Sequence, residues 1–391
     1  MDQEAYVGRE QTLIKHVILH KYLERFAFIV GSWRDAITYV DCFSGPWNVK
    51  SDNFDDSSFA IALNELRKAR DAFRQQGRSI RLRCFFLEKD LAAYSRLKAF
   101  ADGISDATIA THNGTLEESV QTILDFVSEG GSDSFPFIFI DPTGWTGFAM
   151  ETIEPLLKLN PGEVLINFMT GHIRRFLDSP QEETQASFRR LFGSDTFRQR
   201  VAGLNQQDRD DAAVEEYSNA VRTVGGFNYI CSAIVLHPQK DRTHFHLIYA
   251  TRNTRGVQVF KEAEKKAMEV QEHARAEAHQ RHREKRTGQA SFLSSDELHD
   301  PSYYTSLRDR YLAKSKRSVL NALITGGRVP YDEAWVLALS QPMTWESDLK
   351  EWIREWQEDG RLEITGLKPR GRVPQRDKDH YLMFKQPSNH P

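Results

Sequence analysis

The chain has 391 residues, of which 40% are hydrophobic and 27% charged, a length and composition typical of a protein with two or three globular domains. The formal net charge of -3 excludes a globally basic nucleic-acid-binding protein, although a local basic patch remains compatible with it. No apolar run reaches the roughly 18 residues of a membrane span, and the N-terminus lacks the apolar segment of a signal peptide. We therefore expect a cytoplasmic protein.

Helix and strand patterns alternate over the first part of the chain. Residues 11–30 carry apolar side chains at three- and four-residue intervals, which indicates a helix, and residues 36–43 form an apolar strand pattern. The predicted elements that follow are helix 57–77, strand 81–90, helix 91–103, strand 106–114, helix 116–131, strand 135–145, helix 150–162 and strand 163–171. Strands that are almost continuously apolar predict a parallel sheet buried on both faces.

The alternation ends after residue 171. Residues 172–203 predict a polar, mostly helical insertion, 212–226 a further helix, and 227–253 a β-hairpin. Five parallel strands closed by a hairpin are the order expected of a Rossmann-like class I methyltransferase sheet. We assign this domain to residues 1–258, with the helical insertion at about 172–226.

The C-terminal third has a different composition. Residues 259–302 begin with a charged, alanine-rich helical pattern and end in polar residues, which predicts a charged helical linker. Residues 303–391 predict a separate domain, with helices at 304–323, 330–339 and 344–359 and two strands within 361–385 joined by a basic turn that contains Arg370 and Arg372. Three helices and a hairpin are typical of a winged helix-turn-helix domain, and the two arginines are candidate nucleic-acid contacts.

The stretch "YVDCFSGPW" follows the first strand with a polar turn. Asp41 ends the strand and is placed to meet the positive charge of S-adenosylmethionine (SAM), while Phe43, Gly45 and Pro46 form a turn that a cofactor can approach closely. A simple strand-to-helix turn is the alternative.

The next two strands also end in polar residues. In "FFLEKD", Glu88 is a candidate acceptor for the two ribose hydroxyls, whereas Asp90 better suits a helix cap. In "HNGT", Asn113 is a candidate contact for the adenine edge, although an Asn-Gly pair also forms an ordinary turn.

The fourth strand ends in "IFIDPTGW". Amino-group methyltransferases use a D/N-P-P-aromatic loop at this place, and Asp141 and Trp145 are therefore the candidate catalytic residues, one orienting a target amine and the other stacking on a base. Trp145 packed under the insertion is the alternative.

After the fifth strand, Arg174 and Arg175 begin a helix, where they either contact phosphate or form a solvated helix face. We expect no metal site, because the sequence has no CxxC pair and His237, His244 and His246 lack a further ligand at a suitable spacing.

The motifs "KHVILHKYL", "YVDCFSGPW", "FFLEKD", "FIFIDPTGW", "VLINFM" and "FHLIYATRN" occur in this order over roughly residues 10–255. In order and spacing they resemble the three-Cys-motif partner (TcmP) proteins. The resemblance implies a SAM-dependent methyltransferase fold, often with a winged-helix tail, and a partner that resembles radical-SAM proteins. Carried over, it assigns cofactor contacts to Asp41, Phe43, Gly45, Glu88 and Asp141. The sequence departs from the family pattern at Trp47, where a glycine is expected.

The sequence is compatible with three functions. The first is a SAM-dependent methyltransferase that acts on DNA or RNA together with the three-Cys-motif partner. The second is a catalytically inactive methyltransferase-fold subunit that binds nucleic acid or a partner protein. Trp47 favours it, as does the loop after Asp141, where Thr143 replaces the second proline and the aromatic residue is shifted to Trp145. The third is a tail that serves protein contacts alone.

Overall fold

The structure is a computed structural model that describes residues 3–45, 49–51, 53–289, 294–367, 371 and 373–385. The chain divides into two compact units. The first comprises Met1–Ile230 and Ile234–His299, and the second comprises Cys231–Ala233 and Asp300–Pro391.

A seven-stranded sheet organises the first unit. Its strands are β1 Ala36–Asp41, β2 Arg81–Glu88, β3 Thr108–Asn113, β4 Ser134–Ile140, β5 Glu163–Phe168, β6 Tyr229–Leu236 and β7 Thr243–Thr251. They lie in the order β3-β2-β1-β4-β5-β7-β6, in which β1 to β5 are parallel and β7 is antiparallel to β5. The predicted α/β fold with a mostly parallel sheet is thus confirmed.

Burial explains why these segments form the sheet. All residues of β1, β4 and β5 are buried, as expected for central parallel strands that helices cover on both faces. The edge strand β3 is less buried and carries the polar sequence TIATHN. The order of the strands reverses between β1 and β4, and in such sheets ligands bind at the carboxyl ends of the strands beside this reversal.

The helices of the first unit connect and cover the strands. They are α1 Glu10–Gly31, α2 Ser58–Gln75, α3 Leu91–Asp102, α4 Leu116–Ser128, α5 Met150–Leu157, α6 Thr170–Phe176, α7 Glu182–Phe192, α8 Phe197–Val201, α9 Gln206–Gly225 and α10 Thr254–Thr287. Helix α1 packs against both α2 and α10, and α5 packs against α4, α7 and α9. The predicted insertion therefore forms α6 to α9, which extend the apolar core on the α5 side.

Three helices that begin at the carboxyl edge of the sheet have side-chain caps. The Ser57 hydroxyl accepts from the Ala60 N–H at the start of α2, and the Asp90 carboxylate accepts from the Ala93 N–H at the start of α3. Thr115 and Glu118 form a reciprocal capping box at the start of α4. These caps fix the turns that follow β1, β2 and β3 at the carboxyl edge of the sheet.

The predicted linker over 259–302 belongs almost entirely to the first unit, which runs to His299. Helix α10 starts at Thr254, packs against α1 and buries Val257, Phe260, Ala263 and Ala267. These apolar residues recur at helical spacing, but the many charged residues between them make the segment look solvated in sequence.

The second unit contains α11 Ser302–Gly326, β8 Arg328–Pro330, α12 Tyr331–Ser340, α13 Glu346–Glu358, β9 Leu362–Thr365 and β10 Tyr381–Phe384. The strands form an antiparallel sheet in the order β8-β10-β9, in which β8, a strand of three residues, was not predicted from sequence. Two buried tryptophans, Trp335 and Trp356, contribute to the core of this unit.

No helix in the described parts of the chain is both long and apolar enough to cross a membrane.

Candidate cofactor site

A cleft of about 630 Å³ lies at the carboxyl edge of the sheet. The ends of β1, β2 and β4, the turn after β3 and the first turns of α1 and α2 all line it. It contains four of the residues predicted from sequence, Phe43, Gly45, Glu88 and Asp141. Parallel strands bring these residues together because their carboxyl ends share one edge, although the residues are distant in sequence.

Asp141 is held from two sides within this cleft. Lys15 of α1 forms an ion pair with Asp141 Oδ2, and the Asn167 side-chain amide donates to Asp141 Oδ1 at 2.8 Å. The side chains of Lys15 and Asp141 are each 12% exposed, so the pair is largely desolvated but borders the open cleft. Asp141 is therefore held in place by two partners, and Lys15 balances its charge.

Asp41, in contrast, is turned away from the cleft and is completely buried. Its Oδ2 accepts from the Ser58 hydroxyl at 2.6 Å and the Tyr39 hydroxyl at 3.3 Å, and its Oδ1 accepts from the Phe43 N–H at 3.1 Å. Burial raises the pKa of Asp41 to about 6, an effect that the hydrogen bonds from Ser58 and Phe43 oppose. This carboxylate connects β1 to its turn and to α2, and the structure does not bring it to the cofactor position predicted from sequence.

The turn after β1 is tied to the neighbouring strands. The Cys42 N–H donates to the Phe139 carbonyl of β4 at 2.9 Å, and the Ser44 N–H donates to the Leu87 carbonyl of β2 at 2.8 Å. These bonds hold Phe43 and Gly45 on the cleft wall. Pro46 and Trp47 lie outside the described residues.

Glu88 is buried at the tip of β2 and lines the cleft. Its Oε1 accepts from the Asp90 N–H at 2.6 Å, while the Asp90 side chain caps α3. The Asn113 amide donates to the Glu88 carbonyl at 2.8 Å and to the Lys89 carbonyl at 3.1 Å, which holds the tip of β2 in place. Asn113 itself does not line the cleft, whereas the next residues, Gly114 and Thr115, do.

Trp145 packs against the helical insertion. Its ring centroid lies 4.7 Å from that of Phe176 and 5.7 Å from that of Phe188, and its indole N–H donates to the Ser187 hydroxyl at 2.7 Å. It does not line the cleft. The structure thus places the indole in the packing position that the sequence left as an alternative to base stacking.

The two candidate phosphate contacts on α6 have different environments. Arg174 forms an ion pair with Asp210 of α9, and both side chains are largely buried. Arg175 is exposed, with its guanidinium 5.9 Å from the Phe176 ring centroid. Arg370 and Arg372 of the C-terminal turn lie outside the described residues.

Three histidines lie near the end of the cleft that contains Lys15. The rings of His237 and His244 are 5.6 Å apart, and burial together with nearby positive charge from His237 and Arg242 lowers the pKa of His244 to about 4. Burial, assisted by Arg175, lowers the pKa of His172 as well. The described residues contain no group of His, Cys, Asp or Glu side chains arranged to hold a metal ion.

Lys15 is a site residue that no motif in the sequence predicted. The residue occurs within "KHVILHKYL", one of the motifs that carry the family resemblance, as a polar position in a largely apolar helix. A polar residue among the apolar positions of a helix could have indicated a functional role. Its position beside Asp141, however, depends on how α1 packs across the sheet.

No protein-family model matches the chain, and no curated protein matches it. Similar solved structures include protein LPL1258 from Legionella pneumophila str. Philadelphia 1, a protein of the DUF519 family model. It is 12% identical, with a TM-score of 0.38 over 65% of this chain and 90% of its own. Another is loganic acid methyltransferase with SAH, which is 10% identical, with a TM-score of 0.31 over 68% of this chain and 84% of its own.

Proposed function

We propose that this protein is a SAM-dependent methyltransferase that acts on DNA or RNA together with a radical-SAM-like three-Cys-motif partner. The observation that carries the proposal is the cleft, which collects Phe43, Gly45, Glu88 and Asp141 from three strand tips at the reversal between β1 and β4. The order β3-β2-β1-β4-β5-β7-β6 with an antiparallel β7 supports a class I methyltransferase sheet. The partner and membership of the TcmP family rest on the sequence resemblance.

Glu88 is the residue best placed to distinguish SAM from an unrelated ligand. A buried carboxylate at the tip of the second strand is suited to accept both hydroxyls of a ribose, and hydrogen bonds to a charged acceptor contribute about 1.5–3 kcal/mol each. The adenosyl group would then lie between Glu88 and the turn that contains Phe43 and Gly45.

The test is calorimetry with SAM and with S-adenosylhomocysteine (SAH), using the full chain. We expect saturable binding by the wild type and an affinity about 10- to 100-fold lower for Glu88→Gln. Asp90→Asn is the matched control, because it alters an acid two residues away that caps α3 and does not line the cleft. No heat of binding at millimolar SAM or SAH by the folded wild type would refute the proposal.

The nucleic-acid part of the proposal rests on the C-terminal unit and on α6. Three helices with a three-stranded antiparallel sheet, β8-β10-β9, support a winged-helix interpretation. We expect Arg370→Glu with Arg372→Glu, and separately Arg175→Glu, to weaken nucleic-acid binding and to reduce its salt dependence. Unchanged affinity and salt dependence in the Arg370/Arg372 variant would favour a tail that serves protein contacts.

One observation favours a catalytically inactive subunit as the second candidate. Lys15 and Asn167 each bind one oxygen of Asp141 without substrate, so a target amine would have to share this carboxylate with an ammonium group. Methyl transfer from tritiated SAM to DNA or RNA by the wild type, lost in Asp141→Ala, would rule this candidate out. Absence of transfer in the presence of the partner, with SAM binding intact, would support it.

A further inference from the structure

The Lys15–Asp141 ion pair presents two opposite charges side by side on the wall of the cleft. Lys15 comes from the second turn of α1 and Asp141 from the end of β4, and both line the same cavity as Glu88. A ligand that enters this end of the cleft meets a cation and an anion together.

Both groups have capacity for further hydrogen bonds. An ammonium group has three N–H donors, and in the described parts of the chain only Asp141 accepts from Lys15 Nζ. The Asp141 carboxylate offers about four lone-pair positions, of which Lys15 and Asn167 use two. The pair can therefore donate to one ligand group and accept from another without being broken.

Because the pair combines one positive and one negative charge, it favours a ligand that also carries both charges. A lone carboxylate is attracted by Lys15 but repelled by Asp141, and a lone amine experiences the reverse. An α-amino-acid group carries a carboxylate and an ammonium on the same carbon, so each of its charges can face its opposite. Charges that leave water are tolerated when they are paired in this way.

Other charged residues near this end are less suitable. Asp41 is completely buried, and Ser58, Tyr39 and Phe43 hold its carboxylate outside the cleft. The Arg9 guanidinium forms an ion pair with Asp56 and donates to the Ala5 carbonyl.

We propose that the Lys15–Asp141 pair binds the zwitterionic amino-acid end of the cofactor, with Lys15 facing its carboxylate and Asp141 facing its ammonium. This inference rests on the proposed function, and it assigns Asp141 to the cofactor instead of a target amine. Lys15 is a specificity-determining residue, because it distinguishes ligands that carry the amino-acid group from ligands that carry the adenosyl thioether alone.

Three probes separate the charges. SAH carries both the carboxylate and the ammonium, decarboxylated SAM carries the ammonium without the carboxylate, and 5′-methylthioadenosine carries neither. Calorimetry with each probe on the wild type, Lys15→Met and Asp141→Asn reports the contribution of each charge. Lys21→Met is the matched control, because Lys21 lies on the same helix, is partly exposed and pairs with Glu24.

We expect Lys15→Met to weaken SAH about 10- to 100-fold and to leave 5′-methylthioadenosine within about twofold of the wild type. Decarboxylated SAM should bind at least as tightly as to the wild type, because Lys15 repels its ammonium. Asp141→Asn should weaken both SAH and decarboxylated SAM and leave 5′-methylthioadenosine unchanged. Lys21→Met should bind all three probes like the wild type. Unchanged 5′-methylthioadenosine binding shows that the cleft has kept its shape.

The failures of the two proposals differ. An equal loss of all three ligands in Lys15→Met, or no loss of any, overturns the present inference while SAH binding by the wild type still supports the proposed function. If the folded wild type binds none of the probes, both proposals fail.

Discussion

The central sheet has an acid at each end of its parallel strands, Asp141 at the carboxyl edge and Glu163 at the amino edge. Helix α1 supplies a partner for both acids, but the two partners differ in charge. At the carboxyl edge, Lys15 of α1 pairs with Asp141 in an open cleft. At the amino edge, Tyr22 of α1 donates to Glu163 at the start of β5, in a buried hydrogen-bonded cluster with Tyr249 and Thr251. Lys15 and Tyr22 are separated by two helical turns, or about 10 Å along the helix.

We infer from this difference that Glu163 serves stability and that Asp141 serves the proposed ligand. The Tyr22 and Thr251 hydroxyls donate to Glu163, whose pKa burial raises, and these uncharged partners connect α1, β5 and β7 beside a separate cavity of about 310 Å³. A cation satisfies Asp141, and both charges remain at the cleft wall. Variants at the amino edge should therefore change folding stability, whereas variants at the carboxyl edge should change binding.

The largest effect is expected for Glu163→Ala. The substitution leaves a cavity and removes the acceptor of the Tyr22 and Thr251 hydroxyls, so we expect the free energy of unfolding to fall by about 3–5 kcal/mol. Urea denaturation followed by circular dichroism measures it, and Glu163→Gln, which keeps one acceptor, should lose less. A loss below about 1 kcal/mol for Glu163→Ala would show that the Glu163 cluster does not stabilise the fold.

The next effect concerns Asp41, a predicted cofactor contact that is buried and accepts from hydroxyl groups, as Glu163 does at the amino edge. Burial raises its pKa from 3.8 to about 6, so the folded chain binds this proton more tightly than the unfolded chain. The resulting penalty on the folded state is present at neutral pH, decreases as the pH falls through 6, and is absent below about 4.

Asp41→Asn lacks this titration. Between pH 7.5 and 4 we expect the wild type to gain about 2 kcal/mol of unfolding free energy relative to Asp41→Asn. Urea unfolding of both proteins at four pH values tests this expectation. Parallel pH profiles would show that Asp41 does not titrate in the way its burial requires.

A smaller effect is expected at Trp145, which lies beside the cleft but packs on the insertion. Trp145→Phe keeps the ring contacts with Phe176 and Phe188 but loses the hydrogen bond to Ser187, at a cost of about 1 kcal/mol. Ser187→Ala should cost a similar amount, and the double variant should cost less than the sum. If Trp145→Phe instead leaves stability unchanged and weakens binding of single-stranded nucleic acid, the indole is a stacking group.

The smallest change in stability is expected for Asp141→Asn. Its side chain borders the cleft, and an asparagine retains an acceptor for Lys15, so the unfolding free energy should change by about 1 kcal/mol or less. SAH affinity should decrease much more. Thermal unfolding with and without SAH measures both quantities. A large stability loss without a change in SAH affinity would show that Asp141 stabilises the fold and does not bind the ligand.

The sequence predicted the sheet and the strand tips because both depend on local patterns. Apolar runs that end in Glu88 or Asp141 identify parallel strands and the edge at which their ends meet. It did not predict which way a tip side chain points. Asp41 and Asp141 end equivalent apolar runs, yet Tyr39 and Ser58 enclose the first carboxylate, while the second borders the cleft.

Contacts between distant segments account for the rest. Lys15 meets Asp141 across 126 positions of sequence, and no spacing rule connects them. Helix α10 looked like a linker because its charged face dominates its composition, although its apolar residues pack on α1. Trp145 had two possible environments in sequence, and the course of α6 and α7 decided between them.

A crystal structure of the full chain with SAH would show whether the cleft at the carboxyl edge is a SAM site, as we propose. We expect the ribose hydroxyls on Glu88, the adenosyl group beside Phe43 and Gly45, and the amino-acid end on Lys15 and Asp141. A cleft that stays empty at millimolar SAH, or SAH bound elsewhere on the molecule, would contradict it.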